Sequence, residues 1–127
     1  MGCYDIHMEA ALHSAVSGLR AASKRLEVSA ANTVNAQSVD YAPGRVVQTA
    51  LAAGGTRAEA VPISPPSVPV YTPQSPAADA DGIVQRPNVS LESEAVEQML
   101  ARRSFEANLR TIETADQMTR TVLDILA

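Results

Sequence analysis

Proline decides where this chain can and cannot be helical. Seven of its eight prolines fall between Pro62 and Pro87, and the eighth is Pro43. Proline removes a backbone donor and its ring collides with the preceding turn, so that stretch is closed to long helix. Residues 1–42 and 88–127 contain none. The pattern predicts a mainly α chain with a long helix at each end. Residues 1–37 form the N-terminal helix, 38–87 a small irregular Pro-rich β or extended insert, and 88–127 the C-terminal helix. The two end helices are expected to pack against each other.

The apolar rhythm supports this. Leu12, Val16, Leu19, Leu26 and Ala30 are separated by 4, 3, 7 and 4 residues, and Ser23 divides the seven. Such steps draw a heptad-like stripe, which Ala11, Ala15, Ala22 and Val28 widen. Gly18 interrupts the helix at a cost of roughly 1 kcal/mol against Ala, and lets a neighbouring backbone come close. The helix fades through Asn32, Asn35 and Gln37, whose amides compete with the backbone. In the second helix Ser90 is a good N-cap, and Glu92 and Glu94 suit the positive helix end. Its stripe reads Val96, Leu100, Phe105, Leu109, Ile112, Met118, Val122 and Ile125, with a sideways shift after Leu100. In the insert, Arg45–Leu51 and Val68–Thr72 read as strands, with Pro69 confining the second to an edge. Asp81-Gly82 reads as a tight turn.

Two helices bury too little surface to be secure alone, and their exposed apolar flanks call for partners. The candidates for helix packing and subunit interface are Leu12, Val16, Leu19, Leu26, Asn32, Asn35, Phe105, Asn108, Leu109, Ile112, Met118 and Val122. Asn32, Asn35 and Asn108 are expected to cap or to bond between subunits.

Charge and motif content exclude several classes. The net charge is −4, against a broad nucleic-acid face. His7 and His13 fall on nearly opposite sides of a helix, and Cys3 with His7 supplies two ligands at most, so no metal centre is expected. No phosphate loop or catalytic triad pattern occurs, which argues for no cofactor and no enzyme activity. No apolar run is long enough to span a bilayer. The expectation is a chain that stays in the cytosol or leaves by a route reading no cleaved signal.

Two segments carry a more specific signal. Ser17-Gly-Leu-Arg-Ala, then Arg25-Leu-Glu-Val-Ser-Ala-Ala-Asn32, Asn35-Ala36 and Tyr41, resemble the N-terminal signature of bacterial flagellar rod and hook axial proteins. Asp81-Gly82, Pro87-Asn88-Val89, Glu94 with Val96, Arg103-Ser104-Phe105 and Ala107-Asn108 resemble the C-terminal half of the proximal-rod members. Ala31 stands where the signature has a first Asn, and Asp40 where its turn has a Gly. The resemblance implies a structural subunit that pairs its terminal helices as a coiled-coil-like domain. Such subunits stack helically with copies and other rod proteins into a hollow, periplasm-spanning drive shaft of the basal body. It also implies passage through the flagellar type III export apparatus without a cleaved signal peptide, and no lipid insertion. A soluble helical adaptor or export chaperone would use the same stripes, though its hairpin would turn in few residues. A rod paralogue that no longer assembles would keep them too.

Overall fold

A computed structural model describes the backbone of residues 2–126 and the side chains of residues 8–125. The order is α1 (Gly2–Val34), β1 (Gly44–Ala50), β2 (Thr56–Pro62), β3 (Ser67–Tyr71), β4 (Ile83–Pro87) and α2 (Leu91–Leu126). The Pro-free ends are helical over residues 2–34 and 91–126, as the placement of proline allows. At 1.5 Å per residue the helices are about 50 and 54 Å long. They run antiparallel: Asn32 meets Glu94, Arg25 meets Glu97, Gly18 meets Asn108 and Met8 meets Thr119.

Ser90 caps α2 as its side chain predicts. Its Oγ accepts from the Ser93 amide at 3.3 Å and donates to Glu92 Oε2 at 3.0 Å. The Glu92 carboxyl is held below the usual range, first by a backbone hydrogen bond and then by Ser90. At the other end α1 stops at Val34, three residues short of the expected limit. The Asn35 side chain turns back to the Ala31 carbonyl at 3.0 Å, the backbone competition that ends helices. Asp40 then takes φ 66°, entering the left-handed region where the resembling signature has glycine.

The insert is more regular than expected. It holds two separate antiparallel hairpins, β1–β2 and β3–β4. β1 and β2 pair from Gly44 opposite Pro62 to Ala50 opposite Thr56, and the hairpin lies on α1. β3 and β4 pair from Ser67 opposite Pro87 to Tyr71 opposite Ile83. Pro69 is tolerated because each strand of a two-stranded ribbon is an edge. The β3–β4 ribbon rests on no other helix or strand among the described residues. Its turn is the expected one: Asp79 Oδ1 accepts from the amides of Asp81 at 3.0 Å and Ile83 at 2.8 Å. Gly82 beside it sits at φ 76°.

The molecule exposes 9105 Å². A compact protein of 13.4 kDa would expose about 6,500 Å². The excess follows from two long rods packed along one line, with a ribbon standing clear of them.

Candidate assembly interface

The line along which the helices meet is built from small and polar side chains. On α1 it runs through Ala15, Gly18, Ala22, Arg25, Ser29 and Asn32, spaced alternately three and four apart. On α2 it runs through Glu94, Glu97, Ala101, Ser104, Asn108, Ile112 and Ala115. Ala15, Ala22, Ser29, Asn32, Ala101 and Ala115 are buried, and Asn32 and Ala101 are each 1% exposed. Small side chains let the two backbones approach closely, but each buries little apolar area.

Polar contacts supply what alanine cannot. Arg25 grips Glu97 in two parallel bonds, Nε to Oε1 at 2.5 Å and Nη2 to Oε2 at 2.9 Å. The pair is partly buried, and the carboxylate raises the guanidinium pKa further. Ser29 Oγ donates to the Glu94 carbonyl at 3.1 Å. Asn32 does most. Its Nδ2 donates to the Gly44 carbonyl at 2.7 Å and to Glu94 Oε1 at 2.8 Å. Its Oδ1 accepts from the Gly44 amide at 3.1 Å and from the Tyr41 hydroxyl at 3.0 Å. One carboxamide thus ties α1, α2 and the first residue of β1, with every hydrogen-bonding capacity filled inside the chain. Burial, and secondarily the charge of Glu94, raise the Tyr41 pKa. The hairpin has a second tie. Ser17 Oγ accepts from the Thr56 amide at 3.0 Å, and a Cβ on Gly55 would strike that hydroxyl.

The large apolar residues lie elsewhere. Of the twelve residues singled out in the sequence, Leu12, Leu19 and Ile112 are half-buried in or beside the seam. Val16, Leu26, Phe105, Leu109, Met118 and Val122 are exposed, Phe105 at 39% and Leu109 at 41%. The expected stripe is therefore a flank, turned from the seam by one residue. Close approach explains the difference: at Ala15, Ala22 and Ala101 the helices leave room for alanine but not leucine, while the bulkier Ile112 enters the line only half-buried. Leu26, Met99, Phe105 and Leu109 line an open groove of about 900 Å³, floored by Ala22 and Ala101.

The three asparagines all bond within the chain. Asn108 Nδ2 donates to the Ser104 carbonyl at 2.8 Å, with its carboxamide over Gly18, and Asn35 stays in its own helix turn. It is thus a side chain, not a neighbouring backbone, that fills the Gly18 notch. Arg102 pairs with Glu106 at 3.0 Å on the exposed face, while Glu97 is taken by Arg25. The side chains of Cys3 and His7 lie outside the described residues. In the sequence, Ala15 and Ala22 read only as widening the apolar stripe and Asn32 as a cap, although with Gly18 and Ser29 they carry the spacing of the seam.

Comparison with known proteins gives a consistent answer. Residues 80–125 match the family described as the flagellar basal body rod FlgEFG protein C-terminal. The flagellar basal-body rod protein FlgC of Salmonella typhimurium is 40% identical over 114 aligned positions, spanning 80% of this chain and 85% of that protein. FlgC of Escherichia coli O157:H7 is 39% identical over the same spans. FlgC of Agrobacterium fabrum is 30% identical over 94% of this chain and 95% of its own length. Several residues that carried the resemblance (Ser17, Gly18, Asn32, Tyr41, Glu94 and Asn108) are those that hold α1, α2 and the β1–β2 hairpin together. The chain belongs to the FlgC family of flagellar basal-body rod proteins.

Proposed function

We propose that this chain works as a non-enzymatic building part of the proximal rod, and that its helix pair is the stacking unit. The observation that carries the reading is the division of side chains across that pair. The seam spends alanine, serine and asparagine on the intrachain contact. Leu26, Phe105, Leu109, Met118 and Val122 remain on the surface, a costly arrangement for a chain that works alone. In a rod those flanks meet neighbouring copies and other rod proteins. Contacts that join one patch to a different patch do not close, and they generate a helical tube. The heptad-related seam supports a coiled-coil-like pair. Delivery to the periplasm-spanning rod would use the flagellar type III export apparatus, with no cleaved signal. No described helix is long and apolar enough to cross a membrane.

Mass spectrometry of purified hook–basal bodies, after a wash that strips loose proteins, tests the reading. The expected result is this chain alongside the other rod proteins. Its absence while the others are present would overturn the proposal.

A further inference from the structure

A seam of alanines has an ambiguity built into it. Ala15 and Ala22 are one heptad apart, and Ala101 and Ala115 are two. Sliding one helix past the other by seven residues again sets small side chain against small side chain. Large interlocking residues would forbid the slide, but in this chain most of them lie on the flank.

The Arg25–Glu97 pair also parts in a slide, but both side chains are long and partly solvated and can turn to water. Two contacts without that outlet break the ambiguity. The carboxamide of Asn108 lies over the Cα of Gly18, where any Cβ would overlap its Oδ1, Cγ and Nδ2. Displaced by one heptad, Asn108 would meet Ala11 or Arg25, and both carry side chains. The second contact lies fourteen residues further along α1. Asn32 is buried, and one of its four bonds requires Glu94. A slide in one direction replaces Glu94 by Ala101; in the other it carries Asn32 past Leu91, where α2 begins. Either leaves a buried amide short of a partner. A single polar residue in an apolar helix seam is known to select register in this way.

We propose that Gly18–Asn108 and Asn32–Glu94 are positioning contacts that select the antiparallel register of the helix pair. The register has consequences on the outside. Leu26 and Phe105 share one groove although they sit on different helices. A heptad slide would move them apart by about 10 Å and dismantle the groove. The proposal concerns one chain by itself, so it stands or falls separately from the rod reading.

The test uses the purified full-length chain carrying Cys3→Ser, oxidised at low concentration so that disulfides form within one molecule. Ala22→Cys with Ala101→Cys reports the native register. Ala15→Cys or Ser29→Cys with Ala101→Cys reports a slide of one heptad in either direction. Expected with both contacts intact is the native cross-link alone. Removing one contact, by Gly18→Ala with Asn108→Ala or by Asn32→Ala, leaves that result unchanged. Removing both should raise a slid cross-link from background to a yield comparable with the native one, while circular dichroism still shows the helices. A native cross-link alone in that combined variant would overturn the proposal. So would loss of its helical signal, because the pair would then have no second register to fall into. A slid cross-link after the loss of one contact would overturn the claim that both act.

Discussion

The seam and the flank of the helix pair use opposite materials. Inside, Ala101 and Asn32 are almost completely covered, and none of the buried polar side-chain atoms among the described residues lacks a hydrogen-bond partner. Outside, Phe105 and Leu109 keep about two fifths of their surface in water, and Ile125 more. An ordinary globular domain does the reverse. Here the inner contact is thin, close and polar, which gives definition more than strength. The bulky apolar surface lies outside, where the proposed rod reading gives it contacts with other subunits. The two hairpins repeat the contrast. β1–β2 is tied to α1 at Asn32 and Ser17, whereas β3–β4 stands free with Tyr71 exposed.

This division sets an order of effects on the stability of the single chain. Asn32→Ala should cost the most, about 3 kcal/mol, because it strands the Gly44 amide and carbonyl and the Tyr41 hydroxyl at once. Urea unfolding followed by circular dichroism would measure it. A loss within the error of the wild type would mean that the clasp contributes nothing. Ala101→Leu comes next, at about 1–3 kcal/mol, because the seam has no room for a larger side chain. The same unfolding curve reads that loss, and a stabilised variant would show the helices to be less closely packed than described.

On the flank, Phe105→Ser should cost the isolated chain about 1–2 kcal/mol, below Asn32→Ala, since two fifths of its surface is already solvated. It should nevertheless reduce the amount of chain recovered in basal bodies. Equal loss inside and outside would erase the contrast between seam and flank. Tyr71→Ala, on the free ribbon, should fall within about 0.5 kcal/mol of wild type. Alkaline pH offers a milder probe of the clasp. The folded chain favours the protonated Tyr41 phenol, so its pKa is raised. The stability it lends is complete below the unfolded value of about 10 and declines as pH rises through the folded one. Tyr41→Phe should remove that decline.

Much of the architecture was legible from punctuation. Proline marked where helix had to stop, Ser90 marked where α2 begins, and Asp79 to Gly82 marked a turn. The inner seam was harder to read. Hydropathy weights Leu, Val and Phe, and here they trace the surface the chain leaves open. Alanine, serine and asparagine at the same spacing carry little signal, although packing at close range selects for them. Strands β2 and β4 were illegible for another reason. Thr56–Pro62 and Ile83–Pro87 lack a clear alternation of apolar and polar residues, and pairing with β1 and β3 makes them strands.

The central claim is that the flank belongs to other subunits. Leu109→Asp tests it most directly, because it places a charge on that flank while leaving the seam untouched. Expressed in cells lacking the native copy, the variant should accumulate and stay helical when purified. Its amount in hook–basal bodies should fall by about tenfold or more, since a buried unpaired carboxylate is strongly disfavoured. Incorporation at the wild-type level, with normal motility, would contradict the account.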